Sequence, residues 1–142
     1  MRRILVAVDG SDASLRALDY AVAQARCEPA AELRVLNVQP TLSNYTAAEI
    51  YLTAERIREV AAERARAILE SVAARLREAG CRFELEQLEG ETAETIATRA
   101  TELGCDSITM GTHGLSSFGI LFMGSVAQKV VHHATVPVTL VK

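Results

Sequence analysis

Strand-like and helix-like segments alternate along the whole chain, and this alternation leaves few folds open. Short apolar or period-two runs predict strands at residues 3–9, 32–38, 82–88, 106–110 and 136–141. Helical spacing of apolar residues predicts a helix after Ser11 or Asp12 and further helices at residues 48–79, 92–103 and 126–134. Gly80 and Gly104 suit the ends of two of them. The apolar stripe of the first helix consists of Leu15, Leu18, Val22 and Ala25.

This order of elements predicts an α/β fold. Five strands that alternate with four helices imply a parallel sheet with helices on both faces. Because crossovers between parallel strands are right-handed, the favoured arrangement is a single doubly wound five-stranded sheet in the order 3-2-1-4-5. A length of 142 residues suits one domain, residues 1–142, and the 49% apolar content supports a core without disulfides or metals.

A glycine-punctuated loop lies between the fourth strand and the last helix and reads MGTHGLSSFGILFMGS, from Met110 to Ser125. Glycine tolerates positive φ and lets the backbone approach a ligand closely. The N–H groups at a helix start have no intrahelical partner, and the helix dipole favours an anion there. A strand, a glycine-rich loop and a helix in this order indicate a phosphate site and therefore a nucleotide-binding protein.

An acidic residue at the end of the first strand supports the same site. In the predicted order the switch point lies between strands 1 and 4, and ligands of such sheets bind beyond the carboxyl ends of the strands there. Asp9 ends strand 1, and Gly111 begins the loop after strand 4. The two features therefore fall in one crevice, where a carboxylate can accept hydrogen bonds from ribose hydroxyls. The alternatives are a turn without ligand at the glycines and a helix-capping role for Asp9.

Other signatures fit the chain poorly. Gly119-x4-Gly124-Ser125 has the outline of a Walker A loop but lacks its lysine, which contacts the terminal phosphates. A phosphorelay receiver needs an aspartate after strand 3 and a lysine after strand 5, and strand 3 is followed by Glu89. A slow Mg²⁺-dependent ATPase or phosphotransferase that uses the same site is the alternative function.

Composition excludes several classes of protein. The net charge of −3 and the lack of a dense basic run give no reason to expect a nucleic-acid partner. The apolar run after the first two arginines stops at Asp9, too early for a signal peptide, and none reaches the roughly 20 residues of a membrane span. We expect a cytoplasmic protein. Three widely spaced cysteines are interpreted as small residues at helix ends or strand starts.

The chain closely resembles the universal stress protein family, in its ATP-binding branch. The resemblance rests on the spacing Gly111-x2-Gly114-x9-Gly124-Ser125, on the opening Ile-Leu-Val-Ala-Val-Asp-Gly-Ser and on the ending Gly-Ser-Val-Ala-Gln-Lys-Val-Val-His-His-Ala-Thr-Val-Pro-Val. It covers essentially the whole chain. It implies an adenine nucleotide alpha hydrolase-like domain, usually a homodimer, that binds ATP, ADP or AMP in the stress response. Regulation of an unknown protein partner is implied rather than strong catalysis, with any Mg²⁺ held mainly by the phosphates.

The resemblance also implies a role for each site residue. Asp9 and the backbone near Ala7 would contact adenosine, and Val38 would flank the adenine. Residues 111–114 would pass along the ribose and phosphates, and the helix start would donate N–H groups and the Ser125 hydroxyl to the phosphates. The full set of expected ligand-binding residues is Ala7, Asp9, Val38, Met110, Gly111, Thr112, His113, Gly114, Leu115, Ser116, Ser117, Gly124, Ser125 and Val126.

Two positions depart from the common family pattern. His113 replaces a frequent arginine, which weakens the fixed positive charge because histidine is mostly neutral near pH 7. Ser117 and Phe118 change the middle of the loop, which leaves the affinity and the preferred number of phosphates open. The neighbouring His132 and His133 point about 100° apart on a helix, so they do not form a chelating pair, and no metal site is expected. A Ser116–His113–Asp9 triad has little support, and no catalytic residues are assigned.

Two further expectations concern surfaces. The strand from Val136 to Val141 is strongly β-prone and lies at the sheet edge in the expected order. Antiparallel pairing of two such edges would give a closed two-fold dimer, and Pro137 is tolerable at an edge. The polar loop at residues 39–47 is either a flap over the site or an ordinary surface loop.

Overall fold

Nine regular elements build the part of the chain that the structure describes, which comprises residues 1–41, 54–114 and 123–142 of a computed structural model. Strands and helices alternate in the order that was predicted from the sequence. They are β1 (Arg3–Ala7), α1 (Asp12–Cys27), β2 (Glu32–Gln39), α2 (Ala54–Glu78), β3 (Arg82–Glu89), α3 (Thr92–Glu102), β4 (Ser107–Gly111), α4 (Ser125–His133) and β5 (Val138–Val141).

The five strands form one parallel sheet in the order β3-β2-β1-β4-β5, which confirms the predicted doubly wound order. In β1, Ala7 pairs with Leu36 of β2 on one side and with Met110 of β4 on the other. From β1 the sheet extends through β2 and β3 on one side and through β4 and β5 on the other. The carboxyl ends of β1 and β4 therefore border the switch point.

Two apolar clusters pack against opposite faces of the sheet, so the expectation of helices on both faces is confirmed. One cluster joins α1 and α2 to β1, β2 and β3, with Leu18 and Val72 among its buried members. The other joins α3 and α4 to β1, β2, β4 and β5, with Ile96 and Val130 among its buried members. The alternation of Leu5 and Val6 between the two clusters follows from the period of two in a strand.

Helix α1 turns its predicted apolar stripe toward the core. Leu18 and Ala25 are buried, and Leu15 and Val22 are partly buried and pack against the same apolar cluster. Small side chains let the start of the helix lie close to β4. The small residues that are buried in α1 are Ala13, Ser14, Ala17, Ala21 and Ala25.

Two glycines end helices as predicted. Gly80 has φ +68 after α2, and the N–H of Cys81 donates to the carbonyl of Leu76 over 3.1 Å. Gly104 has φ +61 after α3, and the N–H of Cys105 donates to the carbonyl of Ala100 over 2.9 Å. Positive φ is strained for residues with a side chain, so glycine is required at both helix ends.

Several predicted boundaries shift by one or two residues. Strand β1 ends at Ala7, so Asp9 lies in the turn beyond it, and β5 begins at Val138 because Pro137 has no N–H to donate. Helix α4 begins at Ser125 instead of Val126. Gln39 belongs to β2 rather than to the following loop. The rest of that loop from residue 42, and the predicted helical residues 48–53, lie outside the described residues.

All three cysteines are free thiols. Cys27 is the last residue of α1, and Cys81 and Cys105 precede β3 and β4, as the sequence predicts. Burial raises the pKa of the Cys105 thiol. These positions agree with the interpretation of the cysteines as small residues at the ends of elements.

Candidate functional site

The turn between β1 and α1 is closed by the Asp9 side chain. Its Oδ1 accepts the backbone N–H of Ser11 over 2.9 Å. Ser11 is the N-cap of α1, and its Oγ accepts the N–H of Ser14 over 3.2 Å. This resolves the choice between Ser11 and Asp12 as the cap in favour of Ser11. Asp9 is not the cap of the helix and instead closes the turn that leads into it.

The loop after β4 meets this turn at the switch point. Met110 and Gly111 are the last two residues of β4, and Thr112, His113 and Gly114 follow them. A side chain on Gly114 would begin 2.8 Å from Oδ2 of Asp9, closer than real Cβ contacts allow. The structure therefore brings Asp9 and the glycine loop together in the crevice that the sequence predicted.

Gly111 has a packing role that the sequence did not reveal. A Cβ on this residue would lie 2.9 Å from the carbonyl carbon and from the Cβ of Ala13 in α1. Gly111 is buried in β4, so it allows the start of α1 to press against the strand. Among the described residues, positive φ occurs at Gly10, Gly80 and Gly104 only. The described glycines of the loop thus permit close approach and do not supply the positive φ that the sequence suggested.

The start of α4 lies directly against the loop after β4. Gly124 is the N-cap, and its N–H donates to the carbonyl of Thr112 over 2.7 Å. A Cβ on Gly124 would lie 3.1 Å from that carbonyl oxygen and 3.6 Å from the Cα of His113. No described side chain caps the first turn of α4. Its free N–H groups and the dipole make this turn a favourable place for an anion.

The His113 ring is held by its neighbour. Its Nδ1 and the Thr112 Oγ1 share a hydrogen bond of 2.7 Å. Its Nε2 is buried and has no hydrogen-bond partner among the described residues. The Cα of His113 lies beside the α4 start, 3.6 Å from where a Cβ on Gly124 would be, in the segment that the resemblance predicts to contact the ribose and phosphates.

The remaining predicted site residues fall into three groups. Ala7 is buried at the end of β1, and Val38 is half-buried near the end of β2 on the α3 and α4 side. Ser125 is exposed in the first turn of α4, whereas the side chain of Val126 packs into the core, which leaves its backbone N–H as the group available to a ligand. Leu115, Ser116 and Ser117 lie outside the described residues.

Two buried amides beneath the crevice were missed by the sequence analysis. Asn37 is 1% exposed, and its Nδ2 donates to the carbonyl of Val8 over 2.8 Å. Gln39 is 9% exposed, and its Nε2 donates to Oδ1 of Asn37 over 2.7 Å. The available signal was the presence of two amides at alternate positions in a strand that is otherwise buried.

Helix α4 is tied to α3 by a charged contact. The Glu91 carboxylate accepts the N–H of Glu94 over 2.8 Å as the cap of α3, and it accepts a hydrogen bond from Nζ of Lys129 over 3.4 Å. These two contacts, the Glu94 N–H first, lower the pKa of Glu91 below its ordinary value. Both side chains are largely exposed, so the ion pair joins the surfaces of the two helices and contributes little to the free energy of unfolding.

The described residues contain no group of three or more potential metal ligands. His132 and His133 lie edge to face with their ring centroids 5.2 Å apart, on the exposed side of α4. In the described part of the chain, no helix has the length and apolarity that crossing a membrane requires.

Comparison of the chain with known proteins identifies its family. The family model described as the universal stress protein family matches residues 1–142. The chain belongs to the universal stress protein family. It is 36% identical to universal stress protein YxiE of Bacillus subtilis, over 99% of this chain and 98% of the relative. It is also 36% identical to a universal stress protein of Thermus aquaticus, with the same coverage.

Solved structures of the family share the fold. Universal stress protein UspA from Lactobacillus plantarum matches with a TM-score of 0.84 at 26% identity, over 99% of this chain and 97% of that chain. A universal stress protein in complex with cAMP matches with a TM-score of 0.74 at 26% identity, over 99% and 97%. An Archaeoglobus fulgidus universal stress protein in complex with dAMP matches with a TM-score of 0.72 at 25% identity, over 100% and 98%.

Proposed function

We propose that this protein binds an adenine nucleotide in the crevice between the carboxyl ends of β1 and β4 and acts as a regulatory binding protein. The observation that carries the proposal is the first turn of α4, which begins at a glycine against the loop after β4 and has no side-chain cap among the described residues. Two family structures of the same fold hold dAMP and cAMP, which supports an adenine nucleotide as the ligand.

The phosphates fit the α4 side of the crevice. Backbone N–H groups of Ser125 and Val126 and the Ser125 hydroxyl are hydrogen-bond donors for an anion, and the helix dipole adds to their effect. The N–H of Gly124 already donates to the carbonyl of Thr112 and fixes the helix start against the loop. Side chains at Gly114 and Gly124 would fill space next to Asp9 and Thr112, so glycine keeps the backbone accessible. We propose that the phosphates of ATP lie along Gly111-x2-Gly114-x9-Gly124-Ser125, with any Mg²⁺ held mainly by the phosphates.

The nucleoside fits the β1 side. A carboxylate repels phosphate and accepts hydrogen bonds from hydroxyls, so Asp9 suits the ribose rather than the phosphate chain. Val38 offers a half-buried apolar side chain near the end of β2, on the same face of the sheet as Ala7. The crevice therefore has an acceptor side and a donor side, in the order that a nucleotide requires.

Calorimetric titration tests the proposal. ATP, ADP and AMP are each added to the purified protein with and without Mg²⁺, and GTP serves as the control for the base. We expect saturable heats with at least one adenine nucleotide and little change on removal of Mg²⁺. Absence of binding by all three adenine nucleotides would contradict the proposal. Phosphate release from Mg-ATP, followed in the same samples, separates simple binding from the alternative of slow hydrolysis or phosphate transfer.

The proposal extends to assembly and cellular role. β5 is the last strand of the sheet order, and all four of its residues are half-buried, which supports pairing of two copies through residues 136–141. Light scattering at micromolar concentration tests this, with a dimer as the expected result and a monomer as the contradicting one. Membership of the family supports a role in the stress response, and we propose that the protein acts in the cytoplasm on a regulatory protein partner.

A further inference from the structure

The amide pair Asn37–Gln39 connects the end of β2 to the backbone that carries Asp9. The regular pairing of β1 with β2 ends near Val8, whose N–H donates to the carbonyl of Leu36 over 2.9 Å. The chain then turns toward α1. At this point Nδ2 of Asn37 donates to the carbonyl of Val8 over 2.8 Å, one residue before Asp9. A side chain thus continues the contact between the strands after the backbone ladder has ended.

The orientation of both amides follows from this carbonyl. The oxygen of Val8 only accepts, so Asn37 must present its NH₂ group to it and its Oδ1 to Gln39. Gln39 must then donate a hydrogen bond from its own NH₂ group, and its Nε2 lies 2.7 Å from Oδ1 of Asn37. Because Asn37 is 1% exposed and Gln39 is 9% exposed, water has little access with which to replace either bond.

The pair lies on the opposite side of the sheet from Val38. Residues 37 and 39 alternate with Val38 along β2, and Val38 packs into the cluster with α3 and α4. A change at Asn37 therefore leaves the side chain of Val38 in place. It acts on the β1–α1 turn, where Asp9 accepts the N–H of Ser11 and lies against Gly114.

We infer that Asn37, oriented by Gln39, is a positioning residue that holds the Val8–Asp9 backbone and so aims the Asp9 carboxylate into the crevice. The inference rests on the proposed function only in what Asp9 binds. The contact itself is present without any nucleotide, so it can be tested separately.

The ligand-free test is hydrogen exchange of the Ser11 amide, which donates to Asp9. Asn37→Leu keeps the size of the side chain and removes both hydrogen bonds. We expect exchange of the Ser11 amide to accelerate about tenfold, as the loss of one buried hydrogen bond allows. Thr109→Val is the matched control, because Thr109 is a buried polar residue of β4 whose Oγ1 has no partner among the described residues. Unchanged Ser11 exchange in Asn37→Leu would overturn the inference.

The nucleotide test is a double-mutant cycle. Asn37→Leu should weaken binding of AMP about tenfold in the wild-type background and less than about twofold in the Asp9→Ala background, because Asn37 acts through Asp9. Equal losses in both backgrounds would overturn the inference. If the wild-type protein binds no adenine nucleotide, the proposed function fails, but the hydrogen-exchange experiment still tests whether Asn37 positions Asp9.

Gln39→Leu provides a second variant in case Asn37→Leu does not fold. It keeps the Asn37–Val8 bond and removes the group that orients the amide. We expect Ser11 exchange to accelerate about threefold, between wild type and Asn37→Leu. Exchange at the wild-type rate in this variant would contradict the role of Gln39 in orienting Asn37.

Discussion

Helices α1 and α4 both begin at the switch point, and they begin in different ways. The start of α1 is completed by its own side chains, since Asp9 binds the N–H of Ser11 and Ser11 binds the N–H of Ser14. The start of α4 has Gly124 at the cap position and no side-chain cap among the described residues. The comparison teaches that one helix start is completed by side chains that stabilise the fold, and it supports our proposal that the other keeps its donors for a ligand.

Gly124→Val is expected to have the largest effect on this difference. Its Cβ would lie 3.1 Å from the carbonyl oxygen of Thr112, so the loop and the α4 start must move apart. Loss of two hydrogen bonds to a charged phosphate weakens nucleotide binding about hundredfold or more. Calorimetric titration with ATP measures the change.

The control for Gly124→Val is Gly104→Ala. Gly104 has φ +61, so alanine is strained there, but the residue lies at the opposite end of β4 from the crevice. We expect a lower Tm with unchanged ATP affinity. Titration heats of Gly124→Val equal to those of wild type would rule out the α4 start as the phosphate site.

Ser11→Ala tests the other side of the comparison. Removal of the α1 cap is expected to lower the free energy of unfolding by about 1 kcal/mol, because the N–H of Ser14 loses its partner. The affinity for nucleotide should change less than about threefold. Urea unfolding and calorimetric titration measure the two quantities. A large loss of affinity with unchanged stability would reverse the roles that we assign to the two helices.

Ser125→Ala sharpens the assignment at α4. The Ser125 side chain is exposed and caps nothing in the described structure, so its removal should leave stability within about 0.5 kcal/mol of wild type. Loss of one hydroxyl donor to phosphate should weaken ATP binding about threefold to tenfold. Identical affinities for Ser125→Ala and wild type would exclude the hydroxyl from the phosphate contacts and leave the backbone groups alone.

Glu91→Gln tests a third helix start, that of α3, and should have the smallest effect on stability. The pKa of Glu91 in the folded protein is lower than its ordinary value of 4.5. The charged carboxylate therefore stabilises the fold above the ordinary pKa, and this contribution is lost as pH falls through the lower, folded value. The Tm of Glu91→Gln should be slightly below that of wild type at pH 7 and should approach it as the pH falls through the folded pKa of Glu91. A difference in Tm that does not change as the pH is lowered from 7 would contradict this contribution.

The sheet order and the meeting of Asp9 with the glycine loop were predictable because both depend on chain order. Once strands alternate with helices, right-handed crossovers leave β1 and β4 adjacent. Gly80 and Gly104 were predictable for a local reason, since positive φ at a helix end needs glycine. These features require no knowledge of which residues face each other across the sheet.

The parts that escaped prediction depend on register and close packing. Asn37 finds the Val8 carbonyl only when β1 and β2 pair as they do, with Ala7 opposite Leu36. The packing role of Gly111 depends on a tertiary contact, because a side chain on this residue would begin 2.9 Å from the Cβ of Ala13 in α1. A single sequence read for periodicity does not contain these distances.

The most direct test of the account follows backbone amides by ¹⁵N NMR while ATP is added. The amide signals of Ser125 and Val126 at the start of α4 are expected to shift and saturate, whereas that of Ser14, already bound by Ser11 in α1, stays nearly constant. Saturable binding of ATP without any shift at these two α4 amides would contradict the central claim that the uncapped helix start holds the phosphates.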